Sequence, residues 1–136
     1  MAEYLQQNIM WLILAGISGG MLIASFLRAG GKRISVNEAT LLINREDAVV
    51  VDVRETNEWN SGHVPNARHL AMAQLDKRLS ELDKFKSRPI IVYCASGARS
   101  ANACGTLAKA GYEKVFNLAG GLDAWRSAGL PVTTKG

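Results

Sequence analysis

The segment best equipped for chemistry reads Cys94-Ala95-Ser96-Gly97-Ala98-Arg99-Ser100. A cysteine and an arginine stand on either side of four small residues, a spacing that predicts a tight loop entering a helix. Backbone N–H groups in such a loop converge into an anion-binding nest, and the N-terminus of the following helix adds partial positive charge. Both effects favour thiolate over thiol, moving a free-cysteine pKa of about 8.5 downward. Gly97 allows backbone angles closed to other residues and lets a ligand approach the main chain. Arg99 supplies a permanent charge that either holds an anionic substrate or braces the loop through an ion pair to Asp52 or Glu55. A thiolate so placed is suited to nucleophilic, covalent group transfer.

Other reactive residue types offer less. Cys104 lies ten residues past Cys94, in the second turn of the same predicted helix. It reads as a small buried helix residue, with a disulfide that resolves Cys94 chemistry as the alternative. Two cysteines do not make a structural disulfide framework. His63 stands in the turn Gly62-His63-Val64-Pro65-Asn66, where a structural hydrogen bond is favoured over a general base. His69 is isolated. Trp59 and Trp125 fall among apolar spacings and are expected in the core. No Cys/His spacing fits zinc, and no glycine-rich loop carries a nucleotide-binding lysine, so no metal or cofactor is expected. The 16 Lys+Arg and 12 Asp+Glu are interspersed, without a basic stripe carrying aromatics, which argues against nucleic-acid binding.

The surrounding pattern must position the loop. Ser35-Val36-Asn37-Glu38 forms a capping box opening a helix with Ala39, Leu42 and Ile43 on one face, ending near Asn44. Residues 48–53 (AVVVDV) and 90–93 (IIVY) are continuous apolar runs, the mark of strands buried on both faces. A short helix is expected around 56–60, a short strand at 67–70, and a helix over 74–82. A helix over 99–110 closes at Gly111, a third strand covers 114–118 and a last helix 122–128. Strands alternating with helices imply a parallel sheet covered on both faces, with ligands beyond the carboxyl ends of the strands. Cys94 falls at such an end.

Four signatures in order resemble a single-domain rhodanese. They are Val51-Asp52-Val53-Arg54-Glu55, Gly62-His63-Val64-Pro65-Asn66-Ala67, the Cys94–Arg99 loop, and Leu118-Ala119-Gly120-Gly121-Leu122-Asp123-Ala124-Trp125. The resemblance runs from about Ile34 to Pro131 and implies an α/β rhodanese-like fold, with a parallel sheet and helices on both faces. It also implies sulfur transfer. Cys94 would be the nucleophile and persulfide carrier, and the amides of Ala95, Ser96, Gly97, Ala98 and Arg99 would cradle the outer sulfur. The donor would be a small sulfur-containing anion such as thiosulfate, a polysulfide or a protein persulfide; the acceptor would be cyanide or a thiol. Asp52 and Arg54 resemble the family's structural strand-end pair. Phosphatases of the same fold use a loop one residue longer, so a Cys-based phosphatase or arsenate reductase ranks below sulfurtransferase. A rhodanese-fold interaction module with little turnover is the rival from another class.

The composition hides a second part. No charged residue stands between Glu3 and Arg28 in a chain that is 21% charged. Residues 9–27, IMWLILAGISGGMLIASFL, would form a helix of roughly 28 Å, close to the ~30 Å hydrocarbon thickness of a bilayer. Trp11 and Tyr4 suit the interface, while Arg28, Lys32 and Arg33 follow the run and retain its C-terminal side in the cytoplasm. A cleaved signal peptide would want a basic n-region, which is missing, and a core helix apolar all round would need a larger protein to enclose it. The Gly16/Gly20 spacing can pack a second transmembrane helix, although glycines merely tolerated in lipid give the same pattern. The expected layout is a tail at 1–8, one transmembrane helix at 9–27 and a basic linker at 28–33, then a rhodanese domain at 34–131 and a tail at 132–136. Such a protein would sit in a bacterial inner membrane, its partners the lipid bilayer and another membrane protein.

Overall fold

The computed structural model describes residues 32–135. Five parallel strands form one sheet in the order β1-β5-β4-β2-β3. They are β1 (Lys32–Ile34), β2 (Val49–Asp52), β3 (Arg68–His69), β4 (Ile90–Tyr93) and β5 (Val115–Leu118). Register runs Val49↔Ile90 between β2 and β4, and Ile90↔Val115 between β4 and β5, so β4 lies at the centre of the sheet.

Alternation along the strands sends side chains to opposite faces and builds two apolar clusters. Val49, Val51, Ile90 and Val92 share one face with Leu75, Leu82, Ala103, Cys104 and Leu107. Val50, Ile91 and Tyr93 share the other with Ile34, Ala39, Leu122 and Trp125. Both faces are therefore covered, and residues 49–52 and 90–93 are buried throughout, as their unbroken apolar character requires.

Five α-helical segments cover those faces. Helix α1 (Val36–Glu46) starts at the expected capping box: the Ser35 hydroxyl accepts from the Glu38 N–H at 3.1 Å, and the Glu38 carboxylate accepts from the Ser35 N–H at 3.3 Å. It runs two residues past the expected end and stops at Asp47 in the left-handed conformation. Helix α2 (Thr56–Ser61) follows β2, α4 (Ala98–Lys109) follows β4, and α5 (Gly121–Ser127) follows β5.

Two expectations change. Residues 74–82 do not form a continuous α-helix. A 3-10 turn (Met72–Gln74), the single turn α3 (Leu75–Arg78) and a second 3-10 segment (Leu79–Phe85) replace it. Leu79, Leu82 and Phe85 recur every third residue, which keeps them on one side of a 3-10 helix and packs all three against the core. Lys32 and Arg33, expected in the linker, instead belong to the edge strand β1, paired with Phe116 and Asn117. The three-residue strand offers only Ile34 to the core, too little apolar pattern to stand out in the sequence.

Among the described residues no helix is long and apolar enough to cross a membrane. The expected span at 9–27 lies outside the described residues.

Candidate active site

Central strand β4 delivers Cys94 to the carboxyl edge of the sheet, flanked by the ends of β2 and β5. The chain then turns sharply through Gly97, whose φ of +112° is a conformation that disfavours any side chain. This turn brings the Gly97 N–H to 3.0 Å from the Cys94 sulfur, which accepts its hydrogen bond. Helix α4 begins at the next residue, so its N-terminus and dipole are directed at the sulfur. The expected loop residues Ala95, Ser96, Gly97 and Ala98 thus surround Cys94, and Cys94 itself is 1% exposed.

The Ser100 hydroxyl lies 3.5 Å from the sulfur, 3.0 Å from the Gly97 carbonyl oxygen and 2.6 Å from Oδ1 of Asn117. Asn117 projects from β5 and also donates through Nδ2 to the Gly97 carbonyl at 3.3 Å. Burial alone pushes the Cys94 thiol up. The Ser100 hydroxyl and the N–H groups of Ser100, Gly97 and Ser96 outweigh it, leaving the pKa below the ordinary cysteine value.

A second layer shapes the loop from behind. The N–H of Leu122 donates to the Cys94 carbonyl at 2.9 Å, and that of Asp123 to the Ala95 carbonyl at 3.2 Å. These bonds hold two peptide carbonyls against the start of α5. Contact is so close that a Cβ on Gly121 would collide with the carbonyl oxygen of Cys94. Gly121 at φ +57° is therefore confined by both backbone and neighbour.

Arg99 braces rather than stands free. Its two terminal nitrogens donate to the Glu58 carboxylate at 2.7 and 2.9 Å. The Arg99 guanidinium holds the Glu58 carboxyl down to about 2, with burial opposing and the Glu55 N–H assisting. Neither Asp52 nor Glu55, the alternative partners expected for such a brace, takes this role. Asp52 is occupied by Arg54, whose Nη2 reaches it at 2.7 Å in a buried pair and also donates to the Gly62 carbonyl at 2.6 Å. Glu58, one helical turn beyond Glu55 on α2, takes Arg99 instead.

The remaining candidates hold structure. Cys104 is fully buried, and burial together with the charge of Cys94 pushes its thiol up to about 12. His63 and His69 stack on Trp59 with ring centroids 3.4 and 4.9 Å away. Both nitrogens of His63 face carbonyl oxygens, of Trp59 at 3.0 Å and Lys135 at 2.8 Å, while His69 Nε2 meets the Arg54 carbonyl at 2.7 Å. Trp59 and Trp125 are buried, as expected. Among the described residues no three His, Cys, Asp or Glu side chains cluster as metal ligands. No Cys94-loop residue lines the cavity of about 350 Å³ beside Arg68 and Arg88.

Four contributors escape a reading of spacing alone: Glu58, Ser100, Asn117 and Gly121. Asn117 carried the clearest signal. A polar residue inside the strand Val-Phe-Asn-Leu must find a partner, and it is 3% exposed.

Comparison with known proteins decides the family. A model of the rhodanese-like domain matches residues 35–128. The chain belongs to the rhodanese-like family. The chain is 43% identical over 91 residues to a protein of Allochromatium vinosum named sulfurtransferase, covering 67% of this chain and 83% of that one. It is 36% identical over 96 residues to the thiosulfate sulfurtransferase GlpE of Coxiella burnetii, covering 71% of this chain and 88% of the relative. Among solved structures, a rhodanese-related protein from Thermoplasma volcanium superposes with a TM-score of 0.69 at 27% identity. The superposition spans 76% of this chain and 99% of that one.

Proposed function

We propose that this rhodanese is a membrane-anchored sulfurtransferase that carries sulfane sulfur on Cys94 as a persulfide. The Cys94 thiolate attacks the outer sulfur of a donor such as thiosulfate. A bond forms between the Cys94 sulfur and that sulfane sulfur, the sulfane–sulfonate bond breaks, and sulfite leaves with the electron pair. An acceptor thiolate or cyanide then attacks the terminal sulfur, and Cys94 departs as thiolate. The exchange divides one displacement between two covalent steps, and no external oxidant or reductant is consumed.

The observation that carries the reading is the Gly97 N–H donated to the Cys94 sulfur at 3.0 Å, at the head of α4. Main-chain donors so directed stabilise charge on Cys94 before attack. The loop of Ala95, Ser96, Gly97, Ala98 and Arg99 receives the outer sulfur through its backbone. Arg99 keeps that loop in shape through Glu58 rather than gripping the donor alone. The relatives named as sulfurtransferases support the same chemistry. Incubation with thiosulfate and cyanide tests it: wild type forms thiocyanate and Cys94→Ser does not. Equal turnover by the two, or none by wild type with thiosulfate or polysulfide, would favour an interaction module.

The anchor is part of the proposal. The uncharged run at 9–27 has the length and flanking charges of a single pass with the rhodanese domain on the cytoplasmic side. A reporter fused after Gly136 tests this: activity confined to the cytoplasm fits, and activity across the membrane reverses the topology.

A further inference from the structure

Because all five strands run parallel, the sheet has two unlike ends. Cys94 leaves β4 at the strand-end pole. Lys32 opens β1 at the other, strand-start pole, so the run at 9–27 joins the domain opposite its active site.

Charge divides between the same two poles. Around the Cys94 loop the acids Asp52, Glu55, Glu58 and Asp123 outnumber Arg54 and Arg99, both paired with acids, while Arg33 and Arg68 lie on the two edge strands level with Asn117 and Val51. At the strand-start pole Lys84, Lys86 and Arg88 precede β4, and Lys109 and Lys114 flank the turn into β5. Lys32 and Arg45 join them. Glu46, Asp47, Asp83 and Glu113 share that end and leave a cationic excess. Helix C-termini favour nearby cations, which accounts for Arg45 and Lys109. Lys84 and Lys86 stand at the end of the 3-10 segment Leu79–Phe85, while Arg88 and Lys114 lie beyond any helix and are not accounted for in this way.

The basic pole has a concave side. Arg68, Arg88 and Lys84 surround Phe85 at 4.5, 5.0 and 5.1 Å from the ring centre. The cavity of about 350 Å³ opens there, bounded by Arg68, Arg88 and the start of β2. Among the described residues neither arginine forms an ion pair.

The tether is short. Only residues 28–31 separate Leu27 from Lys32, so the connection spans at most about 17 Å. A screening length of about 8 Å at physiological salt is about half that reach, so the surface charges act where the domain lies close against the headgroups.

We propose that the strand-start pole docks on an anionic phospholipid surface, turning the Cys94 loop away from the bilayer. The inference rests on the membrane anchoring proposed for residues 9–27. Anionic headgroups attract the cations around Lys84, Arg88 and Lys114, and the acidic strand-end pole is repelled. The sulfur site is thereby presented to soluble donors and acceptors.

The test uses the full chain in nanodiscs of phosphatidylglycerol or phosphatidylcholine, with amide hydrogen exchange read by mass spectrometry. In phosphatidylglycerol, segments 84–88 and 109–114 are expected to exchange about tenfold more slowly than in phosphatidylcholine, and the Cys94 loop equally in both. Raising salt to about 1 M, where the screening length is about 3 Å, should erase the difference. Joint substitution Lys84→Glu, Lys86→Glu and Lys114→Glu should abolish the protection while sulfur transfer persists; the three lysine-to-arginine changes should retain it. Carbonate extraction separates the two readings. A chain that stays in the membrane yet exchanges identically in both lipids overturns the docking alone. Protection centred on the Cys94 loop reverses the orientation and overturns it too. Release by carbonate overturns the anchor and the docking with it.

Discussion

Asn117 competes with Cys94 for the hydroxyl of Ser100. The oxygen stands 2.6 Å from Asn117 Oδ1, 3.0 Å from the Gly97 carbonyl oxygen and 3.5 Å from the Cys94 sulfur, and it has one hydrogen to donate. While Cys94 is a thiol, its own S–H can donate to Ser100 and the hydroxyl can serve Asn117. Once Cys94 ionises, the hydroxyl gains by turning to the sulfur, because a bond to a charged acceptor is the stronger one. The chain from Asn117 through Ser100 to Cys94 therefore responds to the charge it helps to create.

That competition gives opposite effects for two substitutions. The rate of Cys94 alkylation should rise with pH as thiolate forms, with a midpoint below the ordinary value of about 8.5. Ser100→Ala removes a donor and should raise the midpoint. Asn117→Ala removes the nearest competing acceptor, leaving the hydroxyl to the Gly97 carbonyl and the sulfur, and should lower it, at a stability cost of about 1–2 kcal/mol for the lost buried bonds. Matching upward shifts in both variants would refute the competition.

The Arg99–Glu58 pair predicts a pH window for stability. Folding takes Glu58 from an ordinary carboxyl value near 4.5 to about 2. A depressed carboxyl contributes above its unfolded pKa and loses that contribution as pH falls through the folded value. The pair's contribution should thus be complete above about pH 4.5 and fade down to about 2. Both side chains remain partly exposed, so solvent screening reduces it to about 1 kcal/mol. Glu58→Gln should lower the denaturation midpoint at pH 7 and match wild type near pH 2; a gap independent of pH would oppose the linkage.

Gly121 and Gly129 provide a matched comparison of close contact with backbone strain. Both have positive φ, but a Cβ at Gly121 meets the Cys94 carbonyl whereas one at Gly129 meets nothing within 4 Å. Gly129→Ala should cost about 1 kcal/mol, with sulfur transfer intact. Gly121→Ala should cost about 3 kcal/mol or more and lower the rate of sulfur uptake, because the loop carbonyls must shift. Stopped-flow uptake together with denaturant unfolding separates the two effects, and an unchanged uptake rate in Gly121→Ala would disprove the positioning role.

Cys104 tests whether the second thiol takes part. With its thiol pushed up to about 12 in the core, it remains protonated at neutral pH. Cys104→Ala should retain sulfur transfer and lose about 1 kcal/mol through the small cavity it leaves. Loss of turnover with normal stability would instead reveal a resolving role.

The sequence made the sheet core and the Cys94 loop legible for one reason: both are local. Residues 49–52 and 90–93 announce burial by unbroken apolar runs, and small residues between Cys94 and Arg99 announce a turn. Contacts across long separations were less visible. Arg99 meets Glu58 across 41 residues, a pairing that depends on how α2 packs beside the loop. Ser100 meets Asn117 because β5 lies next to β4, an adjacency set by strand order. Edge strand β1 has one buried side chain, so local pattern could not separate it from a basic linker.

Intact mass after donor exposure tests the central assignment most directly. The reduced full chain is mixed with thiosulfate, freed of small molecules and weighed, and the modified residue is located by peptide fragmentation. The expected result is one added sulfur, on Cys94, removed by cyanide and missing from Cys94→Ser. Sulfur located on Cys104, or an equal gain by Cys94→Ser, would contradict Cys94 as the carrier.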